Sequence, residues 1–343
     1  MAGMEDTLSA VSGRILEFLP GVLLTAAVAS AAWMAGSLLP AFGAPLFAIL
    51  AGAVVATVRP LPSAMRPGVA FCSRPVLQAS VVVLGTGLSL SEVASVGAGS
   101  LPVLLGTLAV ALLLAWPVGR ALGLSRDLTT LIGIGTAICG ASAIAAADSV
   151  IEADDSDVAY AVTTIFLFNV LALLTYPYIG RGMGMTQHQF GVWAGTAVND
   201  LSSVVAAATI FGHPAAASAV VVKLTRTLAI VPTCVGLAVV QGRRGTRAGG
   251  TSISLAVRTI PVFLLGFVAT AGVNSVGLIP ASWHGGLGDL STMMITVALG
   301  AVGLSTRPAA FRRAGWRPLA LGAVLWFSVA ASSLALQAMT GLA

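Results

Sequence analysis

The stretch LTTLIGIGTAICGASAIAAADS, residues 128–149, is apolar over nearly its whole length and rich in glycine, alanine and serine. It is long enough to cross the hydrocarbon core of a bilayer, which takes about 20 apolar residues in a helix. Gly133, Gly135 and Gly140 interrupt it. Small residues of this kind either pack helices closely or mark a discontinuous helix whose freed backbone groups line a substrate site. Both interpretations place the stretch inside a membrane.

The rest of the chain has the same character. Of its 343 residues 57% are hydrophobic and only 8% are charged, with a mean hydropathy of +0.98. A soluble domain carries roughly 25% charged residues, so this composition excludes a soluble enzyme, a disordered chain and a nucleic-acid-binding protein. The apolar runs are continuous, unlike the alternating strands of a membrane β-barrel. An all-α polytopic membrane protein is the predicted fold class.

The phosphate-binding, zinc-protease and hydrolase motifs GxxxxGK[ST], HExxH and GxSxG do not occur in the sequence. We therefore expect no enzymatic activity, no cofactor and no metal site. Residues 1–19 read as a cytoplasmic amphipathic segment, and residues 20–343 as a single transmembrane transporter domain. Eleven stretches are candidate spans, the second of them short enough to be tilted or re-entrant. They are residues 20–39, 44–58, 71–89, 100–119, 128–149, 158–178, 189–211, 214–240, 254–273, 287–304 and 318–340.

Loop charges predict the orientation, because arginine-rich loops stay on the cytoplasmic side. Counting alternate loops places Arg120, Arg126 and Arg243 on one side and Asp154 and Asp157 on the other. This pattern predicts a cytoplasmic N-terminus and an external C-terminus.

Two internal similarities stand out. The sequence GLS at 87–89 recurs at 303–305, an offset of 216 residues, in loops predicted on opposite sides of the membrane. That pattern predicts an inverted repeat, which is frequent in secondary transporters. The sequence GTAI at 135–138 recurs as GTAV at 195–198, an offset of 60 residues. By the span count these two segments run in the same direction, so either the second similarity is small-residue bias or the span count is wrong.

Charged residues inside the predicted membrane segments are the most informative feature. Lys223 and Arg226 lie in AVVVKLTRTLAIVP, on nearly the same face of one helix, and Asp200 lies in TAVNDLSSVV. A charge at the centre of a spanning helix costs about 2.5–3.5 kcal/mol. One interpretation is a buried pair between Asp200 and either cation that locks two helices together. The other is that the surplus cation receives an anionic substrate, since arginine and lysine both suit oxyanions.

Other polar residues near these charges complete the candidate substrate site, namely Asn199, Ser202, Ser203, Thr136 and Ser142. Hydroxyl groups in membrane helices often bond to their own backbone, whereas the amide of Asn199 needs a partner at that depth. Trp193 is predicted to be an anchor at the membrane interface.

Five stretches also carry a family resemblance. They resemble the bacterial YeiH-like sulfate exporter family over most of the chain from about residue 40 to the C-terminus. The stretches are LIGIGTAICGASAIAA, AVTTIFLFNVLALLTYP, FGVWAGTAVNDLSSVVAA, AVVVKLTRTLAIVP and ALGAVGLSTRPAAFRRAGWRPL.

The resemblance implies a multi-pass secondary transporter of about 10–11 helices in the bacterial inner membrane. The chain is also distantly similar to the bile-acid/sodium symporter and cation/proton antiporter superfamily. That likeness implies an inverted repeat, a homodimer and two discontinuous helices crossing near the midplane, at 135–142 and 195–203. The parallel direction of these two segments departs from that pattern.

The leading hypothesis is an exporter of a small anion of the sulfate, sulfite or sulfonate class, working by alternating access. Lys223 and Arg226 would bind the anion, and Asp200 would pair with them in the empty site and carry a coupling proton. One alternative is a Na⁺/H⁺-type antiporter in which Asp200 and Asn199 bind the cation. Another is a non-transporting membrane scaffold, in which neutral replacement of the three charged residues would preserve function.

Overall fold

The computed structural model describes residues 2–38, 43–242, 262–305 and 315–342. All regular structure in these residues is helical, which confirms the all-α polytopic fold. Within the described residues, seven segments are long and apolar enough to cross a membrane, judged by length and composition. They are Glu17–Leu38, Ser63–Gly85, Leu90–Ala121, Asp155–Gly182, His213–Leu237, Ala281–Ser305 and Trp316–Thr340.

The described helices, in chain order, are α1 (Ala2–Leu38), α2 (Gly43–Val58), α3 (Arg66–Phe71), α4 (Leu77–Gly85), α5 (Leu90–Ala121), α6 (Arg126–Ala137), α7 (Ala141–Ile151), α8 (Asp155–Gly182), α9 (Gln187–Ala197), α10 (Leu201–Phe211), α11 (His213–Thr227), α12 (Ile230–Gly242), α13 (Val262–Ser275), α14 (Ala281–Ser305) and α15 (Trp316–Thr340). A 3₁₀ turn, Ser63–Met65, precedes α3, and one turn of π-helix, Cys72–Val76, joins α3 to α4.

The chain divides into two compact units. The first contains α1–α4 and α14, residues Met1–Gly87 and Val276–Pro308. Its helices approach through glycine: a Cβ atom on Gly52 would collide with the carbonyl oxygen of Gly300, and one on Gly303 with that of Ile49. Small residues thus bring α2 and α14 into backbone contact, as they do in membrane helix packing generally.

The second unit contains α5–α13 and α15, and residues 128–149 lie in it as two helices. The chain breaks between α6 and α7 and folds back. A Cβ atom on Gly135 would lie 3.0 Å from the Ile144 side chain, although nine residues in a straight helix span about 13 Å. At the other end, the Ser125 hydroxyl donates to the Asp157 carboxylate at 2.6 Å, beside the end of α7. We call α6–α7 hairpin 1 and residues 138–140 its tip.

Residues 189–211 fold in the same way. The Phe190 ring, near the start of α9, stacks on the Phe211 ring at the end of α10 with centroids 4.0 Å apart. A straight helix would separate these two residues by about 31 Å. We call α9–α10 hairpin 2 and residues 198–200 its tip.

The hairpins enter from opposite ends of α8. This helix begins beside the ends of hairpin 1, as the Ser125–Asp157 bond requires. It ends beside the ends of hairpin 2, where the Arg181 guanidinium donates to the Ile210 carbonyl at 2.6 Å. The tips meet: a Cβ atom on Gly140 would lie 3.4 Å from the Asp200 Cβ atom.

Helices α11 and α12 run past both hairpins. Val222 of α11 contacts Gly195 in hairpin 2, and Ile230 of α12 packs in one cluster with Ile144 and Ala147 of hairpin 1. The middle of this pair, which carries Lys223, therefore lies level with the two tips.

Local sequence signals explain where the hairpin helices begin and end. Ser125 caps α6, Thr186 caps α9 in a reciprocal capping box, and Asp200 caps α10. At the tip of hairpin 1, Gly140 has φ of +69° and ψ of −130°, a conformation essentially restricted to glycine. The prediction of discontinuous helices at 135–142 and 195–203 is thus confirmed in position. The prediction that residues 128–149 and 189–211 are each a membrane span is wrong, because each segment folds back on itself.

The folding back also corrects the charge pattern. Asp157 lies next to Ser125, so the acidic loop before α8 is on the same side as Arg120 and Arg126 and not on the opposite side. Trp193 was expected at the membrane interface and is instead only 2% exposed inside the second unit. The span 44–58 is a short helix, and 254–273 is described only from Val262 onward.

Several sequence predictions concern residues outside those described. Arg243 is one of them, as are residues 306–314, which carry part of the proposed offset of 216. In the described part of that similarity, residues 87–89 form a turn and connection whereas residues 303–305 are helical. The prediction of one domain over residues 20–343 stays a prediction.

Candidate functional site

Lys223 on α11 lies between the two hairpin tips and is completely buried. Its ammonium donates to the Ile138 carbonyl at 2.8 Å and to the Val198 carbonyl at 2.9 Å. These two residues end α6 and α9, where the backbone carbonyls carry partial negative charge. One lysine therefore holds the tips of both hairpins together.

Arg226, one helical turn further along α11, is 2% exposed and also joins the two hairpins, through three hydrogen bonds. Its Nε donates to the Ala137 carbonyl at 2.6 Å and one terminal nitrogen to the Thr136 carbonyl at 3.0 Å, both in α6. The other terminal nitrogen donates to the Thr196 carbonyl in α9. Both cations thus bind the carboxyl ends of the first helix of each hairpin.

Asp200 is half-buried and bonds within its own hairpin. Its carboxylate accepts from the Ser203 amide at 3.0 Å and the Ser203 hydroxyl at 2.6 Å, and also from the Ser202 hydroxyl. This is an N-terminal cap of α10. The ion pair considered from the sequence is therefore not the arrangement found, since both cations bond to carbonyls and Asp200 bonds to its own helix.

Asn199, at the tip of hairpin 2, is 1% exposed. Its backbone amide donates to the Asn169 side chain on α8 at 3.0 Å, but its own side-chain oxygen and nitrogen have no hydrogen-bond partner. The Thr136 hydroxyl, across the tips, is also buried without a partner. Most buried polar groups are paired, so these two groups require an explanation.

Ser142 lies in the first turn of α7 and is exposed. The predicted residues therefore come together: each lies at a hairpin tip, in the turn beside it, or on the face of α11 between the tips. Counted formally, the side chains there carry two cationic groups, Lys223 and Arg226, and one carboxylate, Asp200.

Sequence reasoning missed three participants. Asn169 is an amide in the middle of the apolar run FLFNVLALL, the same signal that singled out Asn199. Ser333 on α15 shares a 2.6 Å hydrogen bond with the Thr196 hydroxyl, and Gln337 donates to Ser333 at 3.4 Å. The available signal was the spacing of Ser333 and Gln337, two polar residues one helical turn apart in an otherwise apolar helix.

Long apolar helices and two re-entrant hairpins with buried cations at their tips define a polytopic helical membrane protein. The family model described as Conserved hypothetical protein 698 matches residues 20–322.

Curated relatives agree with this match. A UPF0324 membrane protein of Streptococcus pyogenes serotype M3 is 40% identical over 335 residues, which cover 95% of this chain and 98% of that protein. A UPF0324 membrane protein of Streptococcus agalactiae serotype V is 38% identical over 330 residues, with 95% and 98% coverage. One of Streptococcus pneumoniae serotype 4 is 37% identical over 330 residues, with 94% and 97% coverage. The chain belongs to this family of UPF0324 membrane proteins.

Proposed function

We propose that this protein is a secondary transporter, an exporter of a small anion by alternating access. The observation that carries the proposal is the net positive charge at the hairpin tips, buried at the level where α8, α11 and both hairpins meet. A net charge held at this depth is expensive unless a mobile ion balances it. The YeiH-like resemblance adds the substrate class of sulfate, sulfite or a small sulfonate.

The two hairpins support an alternating-access mechanism. They enter from opposite ends of α8, and the residues that match at an offset of 60 lie at equivalent places, just before the two tips. We propose that α5–α7 and α8–α10 are an inverted repeat, which is a frequent basis for alternating access. This proposed repeat is consistent with hairpins that enter from opposite ends of α8, whereas two parallel spans would not fit it.

The proposed orientation keeps the N-terminus in the cytoplasm of a bacterial cell, with the protein in the inner membrane. Hairpin 1 would open toward the cytoplasm, since Arg120, Arg126 and Arg317 lie at that end of the second unit. A homodimer is proposed from the superfamily likeness alone.

Lys223 and Arg226 act electrostatically in this proposal. Their hydrogen bonds go to backbone carbonyls of the two hairpins, so they are not free to bind the anion directly. In this proposal they hold the tips together and supply positive potential there. Asp200, half-exposed at the same level, is the residue proposed to carry a coupling proton. The alternative, a Na⁺/H⁺-type antiporter, is favoured by the nearby unpaired oxygen of Asn199.

Transport assays in proteoliposomes separate these functions. We expect uptake of labelled sulfate that sulfite and methanesulfonate inhibit. Asp200→Asn keeps a capping oxygen but removes the charge, so anion exchange between equal concentrations should persist while proton-driven accumulation is lost. Asp148→Asn, a half-exposed carboxylate elsewhere on α7, is the matched control.

Sodium-dependent flux that ignores all three anions and disappears in Asp200→Asn would instead support the antiporter. No flux of any of these ions, in protein shown to be folded, would contradict transport in both forms.

A further inference from the structure

We propose that a groove between α5, α6 and α12 binds one anionic glycerophospholipid of the surrounding membrane. Its acyl chain lies in an apolar cavity, and its phosphate lies against Arg120 and Arg126. The groove belongs to the second unit, and no residue of the hairpin tips lines it. The proposal therefore does not depend on what the protein transports.

The apolar half of the groove is a cavity of about 240 Å³. Leu112, Trp116 and Ile134 line it from α5 and α6, and Gly236 and Leu237 line it from α12. Leu112 and Trp116 are 37% and 48% exposed, although both lie within the candidate span Leu90–Ala121. Exposed apolar side chains in a membrane span face lipid tails, which are as apolar as leucine. This half of the groove therefore opens toward acyl chains.

Close packing of α5 against α6 forms the floor of the groove. A Cβ atom on Gly133 would lie 2.7 Å from the Ala115 Cβ atom, and one on Gly119 would collide with the Thr129 side chain. The hydroxyls of Thr129 and Thr130 each donate to a backbone carbonyl one turn earlier at 2.8 Å. These hydroxyls are satisfied by their own helix and need no polar ligand, which suits an acyl chain.

The polar half of the groove is a cavity of about 260 Å³ that shares Trp116 and Thr129 with the apolar half. Arg120, in the last turn of α5, and Arg126, the first residue of α6, line it as well. The Arg126 guanidinium lies over the Trp116 ring, 5.5 Å from its centroid. The ring at the boundary of the two halves thus positions a cation at the end of the span, where tryptophan commonly marks the membrane interface.

The charge of the polar half is not balanced by its own lining. Among the described residues no aspartate or glutamate lines either cavity. Asp127 is in the first turn of α6 but outside the lining, and Asp157 accepts a hydrogen bond from Ser125 at 2.6 Å. A third cation is close, since a Cβ atom on Gly123 would lie 3.6 Å from a terminal nitrogen of Arg317. Guanidinium groups pair well with phosphate oxygens, so this end of the groove fits a phosphate diester.

The two halves together select an anionic lipid. A free phosphate or sulfate ion would use the arginines and leave the apolar half without an occupant. A zwitterionic lipid would fill the apolar half but would bring a second cation toward the arginines. An anionic lipid uses both halves, and basic pockets between membrane helices bind such headgroups.

The first test compares two lipids that have the same acyl chains. The purified full chain in detergent is titrated with dioleoylphosphatidylglycerol, which is an anion, or with dioleoylphosphatidylcholine, which has no net charge. Native mass spectrometry counts the bound lipid. We expect one phosphatidylglycerol to bind at least tenfold more tightly than phosphatidylcholine, and equal affinities would overturn the proposal.

The double variant Arg120→Gln/Arg126→Gln tests the polar half. Both side chains are exposed, so the unfolding temperature without lipid should stay near that of the wild type. The affinity for phosphatidylglycerol should fall at least fivefold. Arg66→Gln/Arg74→Gln removes the same charge from two exposed arginines of the first unit and should bind as the wild type does. An equal loss in both double variants would indicate general charge attraction and overturn the site.

Gly236→Leu tests the apolar half. Gly236 lines the cavity on α12, and a Cβ atom added there meets no neighbouring atom within 4 Å. Leucine is also the better helix former, so the unfolding temperature should be equal or higher while phosphatidylglycerol affinity falls at least fivefold. Gly99→Leu, which also points into open space on α5 but outside the groove, is the matched control. Wild-type affinity in Gly236→Leu would overturn the position of the acyl chain.

Inorganic phosphate separates a lipid headgroup from a free anion. A large excess should displace little phosphatidylglycerol, because phosphate has no acyl chain. Complete displacement from the wild type would make the arginines a site for free anions and overturn the lipid assignment. None of these measurements uses transport, so their failure and the failure of the proposed function are distinguishable.

Discussion

The two hairpins share one backbone plan but are stabilised in different ways. Hairpin 2 is held by aromatic rings: Phe190 stacks on Phe211, and Trp193 stacks on Tyr176 with centroids 4.3 Å apart. The indole nitrogen of Trp193 also donates to a carbonyl of α15 at 3.1 Å. Hairpin 1 packs with small and aliphatic side chains such as Ile144 and has none of these aromatic contacts among the described residues.

The difference extends to the tips. In hairpin 2 a carboxylate caps the second helix, whereas in hairpin 1 the corresponding position is a glycine without a cap. The two tips thus present similar helix ends, and a side chain of the N-cap residue caps only the one in hairpin 2. Hairpin 2 is therefore the one held by aromatic stacking and a carboxylate cap, and hairpin 1 relies on aliphatic packing.

The largest expected effect comes from the residue that joins both hairpins. Arg226→Met removes hydrogen bonds to carbonyls of α6 and α9 and leaves three buried carbonyl oxygens without a donor. Each buried acceptor left unpaired destabilises the fold by about 1–3 kcal/mol. We expect a loss of about 5 kcal/mol in the free energy of unfolding, measured by denaturant titration in detergent. Arg181→Met loses the bond to Ile210 and the contact with the Phe211 ring at the end of hairpin 2, and it should lose less, about 1–2 kcal/mol. Equal losses would contradict a joining role for Arg226.

Next in size is the aromatic support of hairpin 2. Trp193→Ala removes a stacked ring and a hydrogen bond, and we expect a loss of about 4 kcal/mol. Ile144→Val in hairpin 1 should lose only about 1 kcal/mol. Thermal unfolding of both variants checks the comparison, and a larger effect in hairpin 1 would contradict the stronger stabilisation of hairpin 2 by its aromatic rings.

The tips themselves should respond differently to alanine. Gly140→Ala forces a Cβ atom into a conformation that costs about 2 kcal/mol, and that atom would also lie 3.3 Å from the Ile165 side chain. Asp200→Ala adopts its extended φ of −99° without strain and loses mainly the cap, about 1 kcal/mol. Unfolding temperatures that rank these two variants in the opposite order would show that the glycine is not required by the backbone.

The smallest expected effect concerns the tie between hairpin 2 and α15. Ser333→Ala removes the hydroxyl partner of Thr196, whose hydroxyl keeps its bonds to carbonyls of its own helix, and it removes the weak 3.4 Å acceptor of Gln337. We therefore expect a loss of only about 0.5–1 kcal/mol. Ser332→Ala, on the same helix and bonded only to its own backbone at 3.2 Å, should be near neutral in the same unfolding assay.

The sequence predicted the positions of the hairpin tips well. Glycine and small residues around 135–142 and 195–203 located both breaks, and Lys223, Arg226 and Asp200 were correctly placed at one level. Prediction succeeded here because glycines and charged residues interrupt otherwise apolar runs and can therefore be recognised locally in the sequence. Trp193 was misplaced because an aromatic residue has the same local signal at an interface and in a core.

The path of the chain was not predictable by the same means. A hairpin and a crossing helix of this length have the same composition, and only contacts such as Phe190 with Phe211 distinguish them. The error then propagated to the acidic loop before α8, which was assigned to the wrong side.

The sequence by itself determined that this chain is a membrane protein. It also determined that the segments 128–149 and 189–211 break near their middle and that three charged residues lie at a similar level. Composition and local pattern determine these properties because the core of a bilayer accepts only apolar segments whose backbone groups are hydrogen-bonded within the protein. Tertiary structure decided which groups those charges meet. Lys223 and Arg226 bind carbonyls of both hairpins because folding brings residues 25 to 90 positions apart to hydrogen-bond distance. Asp200 instead caps its own helix through Ser203, three residues away, and this local bond draws it away from the two cations.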